Sequence, residues 1–432
     1  MARERRLGRV VRDGDGEGAE GTVDIPLPRS AGPSGPPHLL TKNRPFLWLV
    51  LGDSFAQLAR WGFFLVVIGD ATYRLDANAT QVALLIGAYS VPLILVSPFY
   101  GAIADRRSAK WMLVVVSFAA LPLPLIALTT HSLGWLYLTS VLYGIAFAAN
   151  MPARGAMVPR LVPRNQLVRA NGMISAVGSV QMIIGPGIAA LLAATGGPQT
   201  PYAVTLVATA VAAVIFLFRV PDLRAKGSVT GRVRIFKDIG DGFREAWREG
   251  SLRRLLLLDV CVWFLIGQLI TLEPTYIKDD LGLGQDFLGL VWTVYGVGEL
   301  IGALLLTRVR QGAGRELAFA TRGLLLAGVG FLFYVAVAIG ASALVANIVF
   351  GIGFSFFIAS ANALIQRVAR APGRVSAAFS MLGESGPVAS TILLLAVGPG
   401  IHVRAWLMVS GVLFTIVALV GLRASIRLRD TA

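Results

Sequence analysis

From Phe46 to Leu422 the chain is a succession of nearly uncharged apolar runs, each about twenty residues long, separated by short polar breaks. A bilayer core of ~30 Å is crossed by about 20 helical residues. In lipid the backbone must satisfy its own polar groups, so only helices and closed barrels span. Barrel strands would read as ~10-residue segments of alternating hydropathy, and this sequence has none. The pattern therefore predicts an all-α integral membrane protein. Charged residues make up only 15% of the chain, against about 25% in soluble proteins.

Twelve transmembrane helices are expected, at about 46–69, 79–104, 111–130, 134–157, 168–194, 201–219, 255–277, 287–307, 317–339, 341–363, 376–398 and 403–422. An even number puts both termini on one side. Basic residues decide which side: positive charge is retained in cytoplasmic loops. One set of loops holds only Arg74, Lys278 and Arg404. The other holds Arg106, Arg107, Lys110, Arg160, Arg164, Arg308, Arg310, Arg315, Arg367, Arg370, Arg374 and the whole 219–254 segment. Both termini are thus expected in the cytoplasm of a cell (plasma) membrane protein. The net charge of +15 reflects this bias, and no nucleic acid is expected as a partner.

Residues 1–45 open with Arg3, Arg5, Arg6, Arg9 and Arg12, then run through DGDGEGAEG and a proline-rich stretch without an apolar core. They read as a disordered cytoplasmic tail. Next come a bundle over 46–219, a linker over 220–254, a second bundle over 255–422 and a short tail over 423–432. In the linker, Ile235, Ile239, Phe243 and Trp247 recur every four residues, predicting an amphipathic helix. It lies either at the membrane interface or against the protein's own loops.

The two bundles read as repeats. Asp53 and Asp259 are 206 positions apart, as are Tyr89 and Tyr295. YGIAF from Tyr143 matches FGIGF from Phe350 at 207. The expectation is two pseudo-symmetric six-helix bundles with a site between them near the midplane.

Between the second and third runs stands YGAIADRRSAKW. Gly101, Asp105, Arg106 and Lys110 in that stretch resemble the signature loop of the major facilitator superfamily. GDSFAQLARWGFF, MPARGAMVPRLVPRNQLVRANGMISAVGSV, FKDIGDGFREAW and PGRVSAAFSM resemble its enterobactin exporter and macrolide efflux branch. The resemblance covers residues 46 to about 420. It implies the major facilitator fold, and it implies that Asp105 closes an inner gate against the start of the eleventh span near Ser376. Gly178, Gly185 and Pro186 resemble the exporter pattern of the fifth span, with alanines where the family has its last two glycines. Arg60 stands where the branch usually has an acid. Ser140 stands where many proton antiporters have arginine.

A charge at the bilayer centre costs several kcal/mol and normally faces a cavity or a partner. Six polar residues are candidates for substrate or proton binding: Asp53, Gln57, Arg60, Asp259, Glu299 and Glu384. Arg60 needs a counter-charge, with Glu299 or Asp53 as the expected partner. For Asp53 and Asp259 a capping or gate contact competes with substrate binding. Trp61, Phe64, Trp263 and Trp292 are candidates to line an apolar cavity. Glu273, beside Pro274, is expected at the outer rim.

Cys261 is the single cysteine, and the three histidines have no ligand spacing. No glycine-rich phosphate loop is present. No metal, cofactor or enzymatic activity is expected. The reading is a monomeric secondary transporter in the lipid bilayer that exports amphipathic small molecules, such as a drug, antibiotic or siderophore, against inward proton flow through Glu299 or Glu384. An importer on the same fold, or a transport-inactive receptor or scaffold, are the alternatives.

Overall fold

The computed structural model describes residues 42–106, 108–163, 166–197, 199–223, 235–308, 315–370, 372–398, 400 and 402–427. Of the tail expected over 1–45, residues 1–41 lie outside them, while Arg44 and Pro45 already begin a helix; the side chains of Asp105, Arg106 and Glu384 also lie outside. Among the described residues there are helices and no strands.

Eleven helices are long and apolar enough to cross a membrane. They are span 1 (Arg44–Arg74), span 2 (beginning at Ala79), span 3 (Ala109–Thr129), span 4 (Leu133–Leu161), span 6 (Pro201–Phe218), span 7 (Gly250–Asp280), span 8 (beginning at Gln285), span 9 (Glu316–Val337), span 10 (Gly340–Val368), span 11 (ending at Val397) and span 12 (beginning at Val403). Span 5, Leu167–Gly196, is the twelfth; it has 30 residues and contains Pro186. Several helices outrun the apolar runs that predicted them. Span 7 begins at Gly250 and takes in Arg253 and Arg254, and span 12 continues to Arg427. Hydropathy marks the lipid-buried part of a helix, while backbone hydrogen bonding carries the helix on past it.

The repeat is visible in the elements themselves. Spans 1 and 7 begin and end 206 positions apart, at Arg44 and Gly250 and at Arg74 and Asp280. Both finish in a five-residue π-turn, Asp70–Arg74 and Tyr276–Asp280. Spans 2 and 8 begin 206 positions apart, and spans 4 and 10 begin and end 207 apart. The YGIAF and FGIGF stretches have the same structural job. A Cβ on Gly144 would fall 2.3 Å from the Tyr89 carbonyl oxygen, and one on Gly351 would fall 2.2 Å from that of Tyr295. Glycine lets span 4 cross span 2, and span 10 cross span 8, backbone to backbone. Without a hydrophobic drive between helices in lipid, such close approach is what packs them.

Each half has its own core. Phe46, Phe63, Tyr143, Tyr202 and Phe216 centre the first; Tyr276, Phe331, Tyr334, Phe357 and Phe414 centre the second. Leu65, Ala79, Ala83 and Ala189 of the first half join the second core, marking where the halves touch.

The linker helix, Ile235–Arg248, packs on the second half. Gly242 presses against the Arg374 carbonyl, and Glu245 accepts the backbone N–H of Arg370. Trp247 is exposed. The side chains of Ile235 and Ile239 lie outside the described residues.

Candidate substrate and gating site

Odd-numbered spans run from the arginine-rich end of the molecule, here the basic end, to the far end. Contacts between the halves cluster toward the far end. Lys278 at the end of span 7 donates to the Thr72 carbonyl oxygen at 2.7 Å and pairs with Asp76. The Lys278 ammonium beside Asp76 holds that carboxyl below the usual range, through its hydrogen bond first and its charge second. The Tyr73 hydroxyl donates to the Pro274 carbonyl oxygen at 3.5 Å. Thr391 of span 11 donates to the Ala83 carbonyl oxygen of span 2 at 2.9 Å. A Cβ on Gly289 of span 8 would fall 3.0 Å from the Pro186 carbonyl oxygen, and one on Gly187 would fall 3.2 Å from Thr293.

Gly185 and Pro186 therefore sit at the seam. Gly185 is buried with Trp61 beside it, and Pro186 lies against span 8. Gly178, two turns nearer the basic end, has open space around it.

Inward of the far-end contacts lies an aromatic cluster drawn from both halves. Trp292 of span 8 packs edge-on to Trp61 at 6.1 Å between centroids and lies 6.0 Å from Phe64. Phe64 lies 5.5 Å from Tyr89. Such geometries add to the burial energy of the rings. The Arg60 side chain donates to the Tyr89 hydroxyl at 2.8 Å and covers the Trp61 and Phe147 rings, each at 4.9 Å.

Two expectations are corrected here. Arg60 does not pair with Asp53 or Glu299. Asp53 is taken by Arg154 of span 4 at 2.7 Å, and Glu299 accepts the Tyr295 hydroxyl at 2.8 Å. Arg60 faces the Trp61 ring of its own span, the Phe147 ring of span 4 and the Tyr89 hydroxyl of span 2, contacts that favour a cation. Glu273 is not at a rim: it is 4% exposed and accepts the Trp292 indole N–H at 2.7 Å. The π-turn Tyr276–Asp280, which contains Lys278, carries span 7 further out than the apolar run indicates.

Arg154 was not among the candidates, although it interrupts the fourth apolar run. Its partner Asp53 is buried. The symmetry breaks there. Asp259 is equally buried, but one carboxylate oxygen has no hydrogen-bond partner, and Ala361 stands 207 positions after Arg154. Gln57 is half-buried, and its side-chain oxygen likewise lacks a partner. Trp263 packs against Phe354 and the glycines of span 11, within the second half.

In the YGAIADRRSAKW stretch the helix of span 2 continues through Arg106. Ser108 caps span 3, accepting the Trp111 N–H, and donates to Asp222. Gly101 is half-buried and Lys110 lies over the Trp111 ring. The expected contacts of Asp105 and Arg106, and those of Glu384, lie outside the described residues. Among the described residues no cluster of acid, histidine or cysteine side chains suits a metal ion.

Two helical bundles joined through a seam lined with aromatic and ionisable side chains define a multi-pass membrane transport protein. The chain belongs to the Major Facilitator Superfamily, whose model matches residues 49–391, and it is a transporter rather than an enzyme. It is 28% identical over 317 residues to the multidrug efflux pump Tap of Mycobacterium tuberculosis, covering 67% of this chain and 73% of Tap. It is 22% identical over 222 residues to macrolide efflux protein A of Enterococcus faecalis, covering 50% of this chain and 68% of that protein. The fold is shared with the nucleoside transporter NupG at a TM-score of 0.64 and 16% identity, over 88% of this chain and 98% of NupG.

Proposed function

We propose that the protein exports amphipathic small molecules, such as a drug, antibiotic or siderophore, by proton-coupled alternating access. The observation that carries this reading is the cluster at the seam. Trp61, Phe64, Tyr89 and Trp292 offer wide apolar faces drawn from both halves, while Arg60 and Glu299 supply few polar contacts. A ligand held between the halves senses their relative movement, as rocking-bundle transport requires. Similarity to Tap and to macrolide efflux protein A supports the outward direction.

In this reading the basic end and both termini face the cytoplasm, following the positive-inside rule. The far end is external and closed in the present arrangement. Gly185 and Pro186 let span 5 bend at the seam, Asp105 latches the inner gate, and Glu299 or Glu384 carries protons. Asp53, Gln57 and Asp259 belong to the cavity's inner half.

The test is accumulation of a compound panel in cells with and without the protein, each with and without an uncoupler. Export predicts lower accumulation of at least one compound, abolished by the uncoupler and by Glu299→Gln together with Glu384→Gln. Unchanged accumulation of every compound contradicts the reading.

A further inference from the structure

We infer that Glu273 is the proton-binding residue of the outer gate: the halves close over it only when its carboxyl carries a proton. This rests on the proton-coupled reading above, and it assigns a proton site separate from Glu299 and Glu384.

The argument begins with position. Glu273 lies seven residues before Asp280, about 10 Å in from the end of span 7. Contacts between the halves roof it. Lys278 reaches Thr72 and Asp76, and Tyr73 reaches the carbonyl of Pro274, the next residue in the chain. Its inner wall is Trp292, which donates to one carboxyl oxygen while its ring packs on Trp61 and Phe64 of the other half. Glu273 thus touches the residue that must separate from the first half when the outer end opens.

Its surroundings decide its charge state. Trp292 faces it from span 8, Tyr334 from span 9, Tyr73 from the end of span 1, and Tyr276 from its own helix. Among the described residues no lysine or arginine faces it. Burying a carboxylate without a cation is costly, and neutral donors such as the Trp292 indole and the Tyr334 hydroxyl return only part of that cost. A protonated carboxyl avoids the cost and gains a partner. The buried Tyr334 hydroxyl stands against the carboxyl, and its oxygen can accept the new O–H. When the outer end opens, the roof parts, Glu273 meets water and ionises. Proton uptake from the outer water and closure are then linked equilibria, each favouring the other.

The neighbouring latch has the opposite sign. Asp76 is held ionised by Lys278, so acid can only weaken that pair and open the gate. Acid-driven closure therefore cannot come from Asp76.

The experiment uses the full chain in nanodiscs, with Cys261→Ala and spin labels on Ser132→Cys and Ala341→Cys, exposed positions at the outer ends of the two halves. Inter-label distances are measured from about pH 5 to about pH 9. In this parent the short-distance population should grow as pH falls. Glu273→Gln should hold the short distance at every pH, while Asp241→Asn, whose carboxylate pairs with Arg244 on the linker helix away from the seam, keeps the parent response. Trp292→Phe removes a donor that favours the ionised form, so closure should move to higher pH by about one unit. The inference is overturned if Glu273→Gln titrates like the parent, or if the parent does not respond to pH. Failure of the export reading is distinguishable, because it shows as unchanged compound accumulation with the pH response intact.

Discussion

Replacing Gly144 with alanine probes how spans 2 and 4 of the first half, which carry Tyr89 to the seam, are held together. The added methyl would stand 2.3 Å from the Tyr89 carbonyl oxygen, whereas a carbon–oxygen contact settles near 3.3 Å. Spans 2 and 4 must then part by about 1 Å. The obstacle is backbone, so no side-chain rotation relieves it. Overpacking of this kind costs about 1–3 kcal/mol, of which alanine's better helix propensity recovers up to ~1 kcal/mol. The same movement displaces the Tyr89 hydroxyl from Arg60 and its ring from Phe64. Gly155 on the same span is the control, since a Cβ there meets nothing within 4 Å. Purified protein heated in detergent and monitored by size-exclusion fluorescence should melt several degrees lower for Gly144→Ala, at about 2–4 °C per kcal/mol. Gly351→Ala should behave alike, with its methyl 2.2 Å from the Tyr295 carbonyl oxygen. Gly155→Ala should match or exceed the parent. If all three melt together, the backbone-to-backbone crossings do not hold each half together as described.

Asp53→Asn should destabilise by about 3–5 kcal/mol, because it leaves the Arg154 charge without its partner; adding Arg154→Gln should recover most of the loss, and additive losses in a melting cycle would deny the pair. Asp105→Asn should lower export while the amount of protein in the membrane stays unchanged. Normal export by that variant would reduce Asp105, Arg106 and Lys110 to a positive-inside anchor.

The parts of the fold legible in the sequence were those governed by a periodic or transferable rule. Apolar run length gave the spans, and the constant offset between Asp53 and Asp259 gave the repeat that the paired π-turns display. Gly144 and Gly351 were marked by that repeat, although their reason appears only when the Tyr89 and Tyr295 carbonyls are seen beside them. Partner choice was not legible. Arg154 and Asp53 are 101 positions apart, and no local pattern joins them. Arg60 was assigned Asp53 or Glu299 because a buried charge usually needs a carboxylate; those two pair elsewhere, while Trp61, Phe147 and Tyr89 reach Arg60 from three different spans. Glu273 was misplaced because hydropathy ends where polar residues begin, while the helix and the seam continue past it.

The central claim is that the halves must part at the outer end during each export cycle. Cysteines at Asp76 and Lys278, in a Cys261→Ala background, place a thiol on each side of the outer latch. Export of whichever compound the accumulation panel identifies is then measured before cross-linking with a short bismaleimide or by disulfide formation, after it, and after reduction of the disulfide. The account predicts that export stops when the latch is locked and returns on reduction. Export that continues through a locked latch would contradict it.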